Sequence, residues 1–76
     1  MLKMKKLNEG WNDVAGTTLS IYVEDGRVKR GTEGIENYHT VYPYQFEKKE
    51  NAYINISGIK VKDFLRLYKE QKIRWM

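Results

Sequence analysis

His39 is the only histidine of the 76-residue chain, and there is no cysteine to accompany it. A zinc site needs three or four nitrogen, sulfur or oxygen ligands, and a nucleophilic triad needs an activated nucleophile beside its oriented base. No carboxylate stands at a spacing from His39 that suggests co-ligation, so the expected role is that of a surface or half-buried histidine at a strand start. The ten carboxylates lie mostly in turns or beside Lys and Arg, and no pair stands out as a glycosidase-like dyad. Gly31-Thr32-Glu33-Gly34 has the outline of a phosphate loop. Glycines 26, 31 and 34 nevertheless match neither GxGxxG nor GxxxxGK[ST], and the residues after Gly34 lead toward a strand instead of the helix N-terminus that a phosphate cradle requires. The expectation is a non-enzymatic chain with no cofactor, no metal and no small-molecule substrate.

Binding chemistry is better represented. Lys62, Arg66 and Lys69 fall together on one side of a helical wheel, extended by Lys60 and Arg74, and Arg27, Lys29 and Arg30 crowd one short strand. Such cations are the solvated face of a docked helix in most proteins, and in others they track a phosphate backbone. Six tyrosines add aromatic surface. Tyr22 is expected on the sheet face opposite Leu19, Ile21 and Val23, where it serves either as a stacking platform for a nucleobase or as an interface anchor. Tyr42 and Tyr44 are the further interface candidates. The leading expectation is a nucleic-acid-binding module that uses the helix stripe, the hairpin cations and exposed tyrosines. The alternative is a protein-interaction module: a homodimer through an edge strand, an adaptor, or a small inhibitor docking an aromatic sheet face.

The elements that must position these residues follow from hydropathy periods. Residues 17–23 alternate, with Leu19, Ile21 and Val23 on the buried side. Asp25-Gly26 comes directly after, the dipeptide of a type I′ hairpin turn, and predicts Val23 opposite Val28 and Glu24 opposite Arg27. The return strand 27–31 is short and charged, the pattern of an edge strand, and Gly31 and Gly34 open a loop through Asn37. Residues 40–46 read as one strand with Tyr42, Tyr44 and Phe46 on one face, and Pro43 marks it as an edge or bulged strand. A turn at 48–51 leads to a strand at 52–57 that buries Ala52, Ile54 and Ile56. Beyond Ser57 the period becomes helical, and a helix over residues 59–72 is expected, with Val61, Phe64, Leu65 and Tyr68 turned inward and Leu67 flanking them. Ser57 is its expected N-cap, Asp63 favours its positive end, and Arg66 and Glu70 stand at i,i+4 spacing. Residues 73–75 should turn back as an extended tail that buries Ile73 or Trp75. A short first strand at 2–7, with Trp11 covering an open end of the core, completes the reading.

A chain of 9.1 kDa supports a single small domain, and with no disulfides apolar contacts must hold it. The supply is 41% hydrophobic residues, more than disordered chains usually carry. Net charge is +4 and the sequence pI is about 9.4, which favours acidic partners. No apolar stretch of seven or more residues lies behind the basic start, and none of about eighteen occurs anywhere, so neither a signal peptide nor a membrane span is expected. The absence of cysteine suits a cytoplasmic location. The predicted fold is α+β over residues 1–76: a small antiparallel sheet of about four strands with one C-terminal amphipathic helix packed on one face.

The segment 64–75 resembles the recognition helix and the approach to the wing of excisionase-like and MerR-like winged helix-turn-helix proteins. The resemblance covers about twelve residues. Gln71 stands where that turn wants glycine, and strands precede the helix where those proteins have another helix, so membership is not taken from it. A short, aromatic, cysteine-free chain also resembles small accessory or inhibitor proteins of mobile elements.

Overall fold

Leu19, Ile21 and Val23 alternate with polar neighbours, and the strand they define is the one on which the fold is built. The structure is a computed structural model that describes residues 6–34 and 38–76. Its architecture is α+β, with antiparallel sheets and one C-terminal helix. Strand β2 (Leu19–Glu24) runs into β3 (Arg27–Glu33) through Asp25 and Gly26, whose φ angles of 53° and 68° are those of a type I′ turn. Val23 pairs with Val28 and Glu24 with Arg27, as the dipeptide predicts. The two carboxylate oxygens of Glu9 accept the exposed Asp25 and Gly26 N–H groups at 2.8 and 2.9 Å, fixing the turn from outside.

The strands form two sheets where the sequence suggests one. In the larger, β1 (Gly10–Asp13), β2, β3 and β4 (His39–Val41) lie in that order, and β7 (Ile59–Lys60) also pairs with β3. The smaller has the order β6 (Ala52–Asn55), β5 (Pro43–Glu47), β8 (Ile73–Trp75). Strand β3 is therefore central and not an edge. Its cations are compatible with that place because Val28 and Gly31, not the charged residues, are the fully buried positions. A bulge makes this possible: between Val23↔Val28 and Tyr22↔Arg30 the register slips by one, leaving Lys29 as the extra residue. Without it, Arg30 would oppose Ile21 and enter the core; with it, Gly31 opposes Ile21 and Arg30 opposes Tyr22 on the other face. Gly31 thus lies within β3, which runs past the expected strand 27–31 to Glu33, and residues 35–37 of the expected loop lie outside the described residues.

The expected strand 40–46 is two strands in two sheets, divided at Tyr42 and Pro43. Tyr42 exchanges backbone hydrogen bonds with Met76 (2.8 and 3.1 Å), which starts the pairing of β5 with β8. Pro43 is the first residue of a central strand, and its carbonyl accepts from Ile56 at 2.8 Å. Proline has no N–H to return to the Ile56 carbonyl, and the Ile59 N–H takes it at 3.1 Å. The turn at 48–51 forms as expected, with Asn51 at φ 51°. Burial along β6 does not: all four residues are exposed, Ile54 by 43%. The alternation there has no partner layer among the described residues.

Helix α1 (Val61–Lys69) is shorter than expected. Its N-cap is Lys60, which makes no side-chain cap, and Ser57 instead lies in the turn before β7, its N–H bonded to Asn55 Oδ1. The Val61 N–H, free for want of a cap, donates to the Gly26 carbonyl at 2.9 Å and ties the helix start to the hairpin. At the other end Gln71 donates to the Tyr68 carbonyl and Lys72 to that of Leu67, with Gln71 at φ 58°. This is the Schellman pattern, in which the left-handed position is usually glycine. Phe64 and Leu67 are buried. Phe64 joins Leu7, Val14, Leu19, Ile21, Val23 and Val28 in the core, and full burial of such a side chain stabilises by about 1.5–3 kcal/mol. The tail after Gln71 becomes β8, and Ile73 and Trp75 are half-buried as expected, Trp75 with its ring 5.9 Å from Phe64.

Residues 1–5 of the expected first strand lie outside the described residues, and the observed first strand is β1, through Trp11. Trp11 does not cover the core. It is 51% exposed on the opposite side of the sheet.

Candidate functional site: the outer sheet face

Cross-strand partners share a face of a sheet, so the register defines what the large sheet presents outward. Trp11 pairs with Tyr22 and Tyr22 with Arg30, giving one row across β1, β2 and β3. The Trp11 and Tyr22 rings lie 5.1 Å apart with planes inclined by 52°. The Arg30 guanidinium carbon sits over both rings, 4.5 Å from the Tyr22 centroid and 5.7 Å from that of Trp11, a cation–π arrangement that holds the side chain against the face. The next row, Asp13, Ser20, Thr32 and Thr40, is polar, and the Ser20 hydroxyl donates to Asp13 Oδ1 at 2.8 Å.

Three more cations join this face. Arg27 alternates with inward Val28 and pairs across with Lys60 of β7, so both belong to the Tyr22 side, and Arg27 is held there by a hydrogen bond to the Gly58 carbonyl at 2.9 Å. Lys29, at the bulge, is half-buried beside them. Asp13 and Glu24 also lie on this face, so its charge is mixed with a cationic excess.

The helix stripe is elsewhere. Lys62, Arg66 and Lys69 are exposed on the side of α1 opposite Phe64 and Leu67, which places the core between them and the Trp11 row. Lys60, at the strand–helix junction, is the link between the two groups. Arg66 makes an ion pair at 3.9 Å with Asp63, and Glu70 pairs with Lys72 at 3.1 Å, where sequence spacing suggested Arg66 with Glu70. The expected continuous surface of stripe plus hairpin is thus divided into two regions on opposite sides of the molecule.

Tyr22 lies where the alternation puts it. Tyr42, exposed at the sheet switch, follows Val41, which pairs with buried Gly31, so alternation turns it outward next to Arg30, while Tyr44, half-buried in β5 opposite Arg74, belongs to the small sheet. Tyr44 instead shares the small sheet with Phe46, Tyr53 and Arg74. Phe46 and Tyr53 meet edge to face at 5.4 Å, and Arg74 lies 5.3 Å from the Tyr53 centroid. His39 is exposed on β4. Among the described residues no helix is long and apolar enough to cross a membrane.

Sequence reading missed Trp11, the most exposed ring of the outer row. Gly-Trp-Asn-Asp is turn chemistry, and the only signal for a strand was the polar alternation on either side of the tryptophan. No protein family, curated protein or solved structure matches the chain.

Proposed function

We propose that the protein is a nucleic-acid-binding module that takes a single strand across the outer face of its large sheet. The observation that carries this reading is the Trp11–Tyr22–Arg30 row, an exposed indole beside an arginine held over an aromatic ring, with Arg27 and Lys60 on the same face. Bases stack on indole and on guanidinium planes, and phosphates are neutralised by flanking cations, so the row and its neighbours supply both terms of single-strand recognition. Duplex is a poorer fit, because its bases are already stacked and a flat face offers no element to enter a groove. Lys62, Arg66 and Lys69 then have a secondary part, raising local potential without touching the stacked bases. A cytoplasmic location agrees with the cysteine-free composition.

Titration of the protein with labelled oligothymidine at two salt concentrations tests the proposal. Binding should weaken with salt, and Trp11→Ala should cost about 1–3 kcal/mol, or roughly 5- to 150-fold in affinity. Arg30→Glu should weaken binding and flatten the salt dependence, while Lys62→Glu with Arg66→Glu should have a smaller effect. Absence of binding at low salt, or binding indifferent to Trp11→Ala, would refute it.

A further inference from the structure

We infer that β6 is a homodimerisation edge, on which a second copy of this chain adds its own β6 antiparallel about a two-fold axis at Ile54. The inference stands on observations independent of the nucleic-acid reading. Residues 52–56 carry the alternation of a half-buried strand, yet the single chain leaves Ala52 and Ile54 exposed, and among the described residues one long side of the strand has no neighbour. Edge strands are normally blunted by charge, proline or shortness. Strand β1 has Asp13, β8 has Arg74, and β4 is three residues long, whereas Ala52-Tyr53-Ile54-Asn55, four residues long, carries neither a charge nor a proline.

The hydrogen-bond phase specifies the register. The Ile56 N–H bonds to Pro43 in β5, so by alternation Ile54 and Ala52 also bond inward, and the N–H and C=O groups of Tyr53 and Asn55 point to the open side. Antiparallel pairing with a copy centred on Ile54 sets Tyr53 of one chain against Asn55 of the other, twice, and closes four backbone hydrogen bonds. It brings the two Ile54 side chains face to face and Ala52 against Ile56, burying the apolar row that the single chain exposes. Self-pairing through one patch is the isologous geometry of a closed dimer. Charge agrees: the hairpin 43–57 has two glutamates and two lysines, hence no net charge on a chain of +4, so it neither repels a copy nor attracts a polyanion.

Sedimentation velocity from about 5 µM to about 500 µM, the range suited to a small interface, should show mass rising from monomer to dimer. Ile54→Lys sets two ammonium groups against each other, and Tyr53→Pro removes an outward donor without touching the β5–β6 bonds. Both should stay monomeric with unchanged circular dichroism. Because the natural chain lacks cysteine, Ile54→Cys under a mild copper oxidant should form a disulfide dimer at least tenfold faster than Lys49→Cys. A monomer throughout the range, a dimer that survives Ile54→Lys, or equal crosslinking at the two positions overturns the inference. None of these results depends on oligonucleotide binding, and the binding assay can be run on monomeric Ile54→Lys, so the two proposals fail separately.

Discussion

Replacing Gly31 by alanine tests the packing that joins the two sheets. Gly31 is buried in β3 with no unusual φ, so its need for glycine is one of space. A Cβ there would lie 3.0 Å from the Ser20 carbonyl oxygen, 3.2 Å from Leu19 Cδ1 and 3.2 Å from Trp75 Cζ3. The Leu19 methyl can rotate away, but the Ser20 oxygen is backbone within the β2–β3 ladder, and the Trp75 ring is stiff and packed on Phe64. Overpacking of this kind costs about 1–3 kcal/mol. The smaller conformational freedom of unfolded alanine returns about 0.4–1 kcal/mol, leaving a net loss of about 1–2 kcal/mol. For a domain of this size that lowers Tm by roughly 5–15 °C. Urea unfolding followed by tryptophan fluorescence, with thermal melts by circular dichroism, measures both. Trp75→Leu removes one of the three contacts, so the double variant should be less destabilised than the two single losses added together, by about 0.5–1 kcal/mol. Gly31→Ala as stable as the natural chain, or strict additivity with Trp75→Leu, would refute the reasoning.

Two other substitutions probe the local devices. Glu9→Ala leaves the outward N–H groups of Asp25 and Gly26 to water and should lower stability by about 1 kcal/mol, small because the carboxylate is exposed; an unchanged urea midpoint would contradict it. Gln71→Gly should raise stability by about 0.5–1 kcal/mol, since a side chain at φ 58° strains the left-handed helix end that glycine occupies freely. A lower midpoint for that variant would show that the Gln71 side chain contributes something the backbone geometry does not reveal.

The β2–β3 hairpin was legible because each signal for it is local: alternation over six residues and a dipeptide tolerant of positive φ at both positions. The inward face of α1 was legible for the same reason, although Leu67, read as a flanking residue, is more buried than Leu65. The place of β3 was not. Its three cations suggested an edge, and nothing near them announces that β4, the next strand, and β7, from much later in the chain, pair along its other side. Pro43 was recognised as an interruption, but whether the chain bulges or changes sheets depends on β8 arriving from the far end to receive Tyr42. Of the candidate site, Tyr22 and Arg30 were named without being connected, because their contact rests on the one-residue slip at Lys29. Trp11 was lost to the turn-like residues around it.

By itself the sequence determined the α+β class, the central hairpin and its register at the turn, the apolar side of the helix and the extended tail that follows it. These depend on periods and dipeptides whose energetics are settled within a few residues. The tertiary structure alone decided which strands became neighbours, which side of the molecule each cation occupies, and which apolar row stayed uncovered. Pairing in a sheet is a contact between distant segments, and a single extra residue reverses every side chain beyond it. Arg30 on Tyr22 follows from that extra residue, and Gly31 against Trp75 and Ile54 open to solvent follow from the long-range pairings.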